Sequence, residues 1–235
     1  MVQGLKIRRF SQIMIISVLS LCMLTACKGS GSGDAADGTD GSTVAGSAAA
    51  NGTEVNKTTE KTSEIPGGTL PDWSEIKAKN PGVVAVIRIE GKNSDEIVTS
   101  GTDGIYIDSG NDTGFTDPLT VIYGSKGIST LGDPDVFGKH PHIYIYQEHQ
   151  IIEYSVFAAM KGDDSDVLAK NNVYDYDTYC QFINNVYSSR SMEADYDTSL
   201  QKQVTKSWQT LMISDGNGSG SSFIVYATAD KTYTL

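Results

Sequence analysis

The sequence predicts a mostly-β domain with a few short helices, carried behind a long N-terminal leader. Three observations point to it. Short runs rich in Val, Ile, Tyr and Phe (Leu119–Tyr123, His142–Tyr146 and Ile151–Ala159) follow one another closely. Turn formers separate them: Gly124, Gly127, Asp133-Pro134, Gly138 and the polar stretch 147–150. Within the central run, His142, Tyr144 and Tyr146 alternate with Ile143 and Ile145. That period of two gives one apolar and one amphipathic face, and the last two runs read as a hairpin.

The leader comes first. Lys6, Arg8 and Arg9 precede an apolar stretch, Ile13–Met23, and then Leu24-Thr25-Ala26-Cys27. This is the pattern of a secretory signal peptide in its bacterial lipoprotein form. Residues 1–26 are expected to be removed and Cys27 to be lipidated, tethering the chain to the outer face of the cell membrane. The apolar stretch is shorter than the roughly 18–20 residues of a spanning helix. The chain of 235 residues carries a formal charge of −11. Loss of residues 1–26 takes three basic residues and no acid, leaving 15 basic and 29 acidic residues and a charge of −14. That balance argues against nucleic acid or an anionic lipid surface as the main partner.

Residues 27–70 are rich in Gly, Ser, Ala and Asp and nearly free of large apolar side chains. Such a segment buries too little surface to offset chain entropy, and it is expected to be a disordered spacer. The folded domain is expected over 71–235, long enough for one core.

Within the domain, Asp72-Trp73-Ser74-Glu75-Ile76 reads as a helix start ended by Asn80-Pro81-Gly82, and Val83–Ile89 as a strand. Lys92–Thr102 leads on to the run Asp103–Asp108. Residues 171–196 hold the best helix signal: Tyr179, Phe182, Ile183, Val186 and Tyr187 recur at helical spacing, with Asp175 and Asp177 near the start. Thr210–Ile213 and Phe223–Thr228 close the list of strands, joined by the polar loop 214–222.

Several of these segments resemble the class B sortases, the cysteine transpeptidases that attach surface proteins to bacterial cell walls. The similarity lies in Asn80-Pro81 with Val83-Val84, in Val121-Ile122-Tyr123-Gly124, in Phe137 with His140-Pro141 and Ile143–Tyr146, and in Tyr154 with Val156–Ala159. The resemblance spans roughly 71–235 and implies a sortase-like closed β-barrel. It also implies where the chemistry would sit. The family has its catalytic His directly after the Tyr-Gly, its nucleophilic Cys after the strand resembling Leu211–Ser214, and an Arg opening the last strand. Here those positions read Ser125, Gly216 and Ser222.

Sortase chemistry needs a thiolate nucleophile, an imidazole to protonate the leaving amine and a cation near the oxyanion. Gly216 has no side chain, Ser125 is no general acid near neutral pH, and Ser222 has no charge. No catalytic residue is therefore assigned. Ser125, Ser214, Asp215, Gly216 and Ser222 remain as a candidate peptide groove. Once Cys22 and Cys27 are accounted for, Cys180 is the one thiol left, and it reads as a small buried hydrophobe. His140-Pro141-His142 with Asp133 and Asp135 lacks zinc-type spacing. The loop Asp215-Gly216-Asn217-Gly218-Ser219-Gly220 resembles half a calcium loop, but Tyr226 stands at the twelfth position. Neither metal nor cofactor is expected. The sequence thus predicts a lipid-anchored surface protein with a non-catalytic sortase-like domain that binds a sorting-signal-like peptide or an envelope partner. The alternatives are an active transpeptidase using non-standard residues and a structural envelope lipoprotein.

Overall fold

The computed structural model describes residues 64–235 except Arg190 and Met192. The signal segment, Cys27 and residues 28–63 of the spacer lie outside the described residues. Among those described, no helix is long and apolar enough to cross a membrane.

Helix α1 (Trp73–Lys79) begins at Asp72, whose carboxylate accepts from Glu75 N (3.1 Å). This N-cap satisfies one of the amides that a helix start leaves open. The chain then forms β1 (Val83–Ile89), β2 (Glu96–Thr99), β3 (Tyr106–Ile107) and β4 (Leu119–Tyr123), a 3₁₀ turn at Lys126–Gly132 and a short helix, α2 (Pro134–Phe137). The hairpin β5 (His142–Tyr146) and β6 (Gln150–Asp163) follows, then helices α3 (Val167–Lys170) and α4 (Tyr176–Ser188). Strand β7 (Asp195–Tyr196), helix α5 (Gln201–Ser207), β8 (Thr210–Ser214) and β9 (Ser221–Thr234) complete the domain.

Around the ring the order is β1-β2-β3-β4-β8-β9-β6-β5, and β5 pairs back with β1, so eight strands close a barrel. The pairs β2–β3 and β4–β8 are parallel and the others antiparallel. Strand β6 is long enough to change partners along one edge. Residues 151–155 pair with β5, and Ala158 and Ala159 pair with β7. Its other edge is held throughout by β9.

Alternation decides which side chains fill the barrel. Ile87, Ile122, Ile143, Ile145, Leu211, Ile213 and Val225 point inward and are fully buried. On β4 the intervening residues Leu119 and Val121 face a second core outside the ring, where Tyr179, Phe182, Ile183 and Val186 of α4 cover them. The helical stripe is thus core packing, each large side chain contributing about 1.5–3 kcal/mol by burial. A smaller third cluster packs Val86, Tyr146 and Ile151 with Trp73 and Ile76 of α1.

The predicted β1, β4 and β5 coincide with the observed strands. Other expectations need correction. The segment Lys92–Thr102, assigned no element from the sequence, holds β2. The helix expected over 171–196 is confined to Tyr176–Ser188. Asp175 caps its start by accepting from Thr178 N (2.9 Å), and Tyr196 belongs to β7. Helix α5 was not read from the sequence. Residues just before Pro71 also contact the barrel. Tyr146 Oη donates to Pro66 O (2.6 Å), and Arg88 Nη1 donates to Gly67 O (2.9 Å) and Thr69 O (2.8 Å). Gly67 has φ +72, and a Cβ there would fall 2.5 Å from Tyr146 Oη, so glycine is required.

Arg88 ties this segment down. It makes a two-point contact with Asp95 (Nε–Oδ1 2.7 Å, Nη2–Oδ2 2.6 Å) and lies 4.6 Å from the centre of the Tyr146 ring. Arg88→Ala is expected to cost about 2–3 kcal/mol in denaturant unfolding and to speed amide exchange over 64–70. Arg88→Lys recovers little of it, because an ammonium cannot reproduce the planar fork. Full recovery by lysine would show that charge alone matters.

Candidate functional site

Strands β4 and β8 run parallel, with Ile122 beside Ile213, so their C-terminal ends arrive at the same rim of the barrel. Gly124 follows β4 with φ +86. A Cβ there would fall 2.1 Å from Gly104 O, so the chain can turn in this way only at glycine. The turn is then pinned to the β8 end: Gly124 N donates to Gly216 O (2.7 Å) and Ser125 N to Ser214 O (3.1 Å). Ser125, Ser214, Asp215, Gly216 and Ser222 are thereby gathered at one place.

Of the gathered residues Ser125 and Ser214 are buried, and Asp215, Gly216 and Ser222 are half-buried. Ser125 is fully buried, and its hydroxyl donates to the Glu96 carboxylate. Glu96, on β2, also accepts from Gly127 N (2.9 Å), and Lys92 Nζ donates to Gly127 O (2.5 Å). The segment Lys92–Thr102 therefore covers Ser125.

On the other side the organising group is Asp164, fully buried just beyond the end of β6. Its Oδ2 accepts from Ser214 Oγ (2.6 Å), Ser222 Oγ (2.9 Å) and Gly218 N (3.2 Å), and its Oδ1 from Gly220 N (3.0 Å). Its own N–H donates to Gly220 O (2.9 Å). Burial pushes the Asp164 pKa up. The donors from Ser214, Gly220, Ser222 and Gly218 push it down and prevail, so it lies below the ordinary carboxylate value. Gly216 N in turn donates to Ser214 Oγ (2.9 Å). A Cβ on Gly216 would lie 1.9 Å from Ser222 Oγ and 2.3 Å from Asp164 Oδ2. The space for a nucleophile is filled by the polar network.

Asp215 Oδ1 accepts from Phe223 N (2.8 Å), and the Lys126 ammonium donates to Asp215 O. Asn217 Oδ1 accepts from Ser219 Oγ (2.5 Å), and Asn217 O from Tyr106 Oη (3.1 Å). These oxygens of the calcium-like loop are thus used internally. Cys180 packs against the outer core on α4. His140 Nδ1 and His142 Nδ1 meet Asp197 (2.7 Å) and Glu90 (3.1 Å), not the three serines. Beside the loop lies a polar depression of about 210 Å³, lined by Ser100, Thr102, Tyr106, Asp108, Asn217 and Gly218. A pocket of about 450 Å³ lies elsewhere, lined by Glu90, Lys92, Thr130, Val136, Lys139 and Pro141.

The sequence did not reveal Asp164 or Glu96 as site residues. Asp164 sits in the acidic run 163–166, which reads as solvated turn, and its partners lie 50 to 58 positions away.

A closed mixed barrel with these two strand ends at one rim is the fold of the class B sortases. Sortase B from the type II pilus of Streptococcus pneumoniae superposes with a TM-score of 0.53 at 22% identity, over 68% of this chain and 99% of that one. A Streptococcus pyogenes class B sortase involved in pilus biogenesis gives 0.53 at 18%, over 68% and 98%. A sortase B complexed with triglycine gives 0.50 at 15%, over 67% and 85%. At these identities the likeness is one of fold. No protein-family model and no curated protein matches the sequence.

Asp164→Ala leaves four donors without their acceptor and is expected to cost on the order of 3–5 kcal/mol. Asp164→Asn should cost about 2 kcal/mol. In the unfolded chain Asp164 takes up its proton near pH 4, whereas the folded carboxylate holds its charge to lower pH. Its stabilisation is therefore full above about pH 4 and is lost as pH falls further, through the folded pKa. Urea unfolding between pH 6 and 3 should show a shallower acid loss for Asp164→Asn than for the parent chain; parallel curves would remove Asp164 from the account.

Proposed function

We propose that this chain is a lipid-anchored, extracytoplasmic protein whose sortase-fold domain binds a sorting-signal-like peptide or an envelope protein without cutting it. The observation that carries the reading is the Asp164 network: the Cys position is a glycine with no room for a side chain, and the three groups that the reaction needs are absent. The anchor rests on the Lys6–Cys27 pattern, which places Cys27 at the mature N-terminus. The polar depression beside Asn217 and Gly218 suits a peptide, because Ser100, Thr102 and Asp108 line it with hydroxyls and a carboxylate that an extended chain can meet. The bound triglycine of one neighbour is a property of that protein, and it makes a short peptide a reasonable first ligand for this one.

Titration of the isotope-labelled chain with sorting-signal-like peptides, with both partners followed by NMR, tests the reading. Saturable shifts at Ser100–Thr102 and Asn217–Gly220 with intact peptide are expected. New peptide fragments would overturn the non-catalytic reading, and silence from both partners would leave a structural envelope role.

Restoring the family residues together (Ser125→His, Gly216→Cys, Ser222→Arg) is expected to give no peptide cleavage, since Glu96 and Asp164 hold the space those side chains need. Gly216→Cys alone should lower stability by about 1–3 kcal/mol through overpacking, measured by thermal unfolding. Turnover by the triple variant would show that the scaffold still positions the chemistry.

A further inference from the structure

Four neighbouring strands of the barrel deliver metal-ligating groups to one outer patch, away from Asp164. His142 opens β5, and its outward side chain follows from the alternation that sends Ile143 and Ile145 inward. Glu153 lies on the paired strand β6, diagonal to His142 across the pair Tyr144–Glu153. Asp230 comes from β9 by a bulge. Glu153 pairs with Lys231 and Tyr154 with Ala229, so Asp230 is the extra residue, and such a bulge re-aims its side chain. Glu90 follows the end of β1.

The geometry is that of a ligand set with an outer partner. Glu90 Oε2 lies 3.1 Å from His142 Nδ1 and accepts from His142 N (3.0 Å). A carboxylate on Nδ1 makes that nitrogen the donor and leaves the Nε2 lone pair free to bind an ion. Nε2 faces Glu153 Oε1 at 3.8 Å. One ligand atom from each of His142, Glu153 and Asp230 lies within 4.8 Å of the others. An ion bonded at about 2.0–2.2 Å needs its ligand atoms roughly 3.3–3.6 Å apart, so small side-chain rotations close the site. The remaining carboxylate oxygens are held in place: Tyr233 Oη donates to Glu153 Oε2 (2.6 Å), and Gln203 Nε2 to Asp230 Oδ1 (3.1 Å).

Among the described residues no lysine or arginine forms an ion pair with Glu90, Glu153 or Asp230. Three carboxylates surround one imidazole, and among the described residues the ion pairs of Glu90 and Glu153 run to His142 alone. The adjacent Lys231 places its ammonium over the Tyr233 ring (4.4 Å).

We propose that His142 Nε2, Glu153 Oε1 and an Asp230 carboxylate oxygen bind one divalent ion of the zinc class, with Glu90 holding the imidazole in place. An imidazole with two carboxylates favours a borderline first-row ion over Ca²⁺ or Mg²⁺, which take oxygen ligands. The bound ion links β5, β6 and β9 and leaves a coordination position for water.

The test is calorimetric titration of the full chain, stripped of metal by a chelator, with ZnCl₂ and separately with CaCl₂, together with thermal unfolding. One zinc site that raises the melting temperature is expected, with little response to calcium. His142→Ala should weaken it about 100-fold, and Asp230→Asn and Glu90→Gln about tenfold each. His140→Ala, His149→Ala and Cys180→Ala should leave it unchanged. The proposal is overturned by the lack of a saturable zinc site, by zinc affinity that His142→Ala and Asp230→Asn both leave intact, or by calcium bound as tightly as zinc. Circular dichroism of each variant separates lost ligands from lost fold, and Asp230, being exposed, is the substitution least able to disturb packing.

Discussion

The antiparallel ladder between β6 and β9 is the constraint on which the rest of the domain depends. It runs from Gln150 paired with Thr234 to Asp163 paired with Ser221. Along it, β6 sends Ile152, Tyr154 and Val156 into the barrel and Phe157, Ala158 and Met160 toward the outer core, so both hydrophobic clusters meet on this strand. The bulge between Val156 and Ala158 lets the strand change which side faces inward. Its free edge is used twice, by β5 to close the ring and by β7 to receive the segment after α4. A shift of register by one residue would turn the inward set outward and break both cores together.

The ladder also fixes the site. It ends where β6 passes Ser221 and Ser222, and the next residue is Asp164. The carboxylate therefore arrives at the mouth of the loop 214–222, where Gly218 N, Gly220 N and the hydroxyls of Ser214 and Ser222 converge. A buried charge is tolerable only when it is fully hydrogen-bonded. Four donors meet that requirement, and in meeting it they set the loop's shape. Glu96 closes the opposite side in the same way, through Ser125 and Gly127. Two acids from distant parts of the chain thus close the rim at which β4 and β8 end.

How much of this was legible in the sequence depends on the range of each interaction. Strands β1, β4 and β5 are short apolar or alternating runs bounded by glycine, proline or polar turns, and they were found to the residue. Strand β2 escaped because Glu96-Ile97-Val98-Thr99 is brief and follows Lys92-Asn93-Ser94-Asp95, whose polarity dominates any local reading. The far end of β9 includes Asp230-Lys231-Thr232, residues with no strand signal that extend only because β6 pairs with them. Of the site, Ser125, Gly216 and Ser222 were legible through the resemblance. Asp164 and Glu96 were not, because each is defined by partners that are remote in sequence.

The Asp164 network bears on what a side chain at position 216 could do. A thiol works as a nucleophile only as its thiolate, which forms readily beside a positive group. Here a thiol introduced at position 216 would meet an anion at once, because Asp164 Oδ2 stands 2.3 Å from the ideal Cβ. Like charges that close oppose ionisation and drive the thiol pKa upward. The Lys126 ammonium already donates to Asp215 O. A buried carboxylate at the centre of this rim thus opposes the ionisation of any thiol placed beside it, and what the fold keeps here is a rigid polar surface.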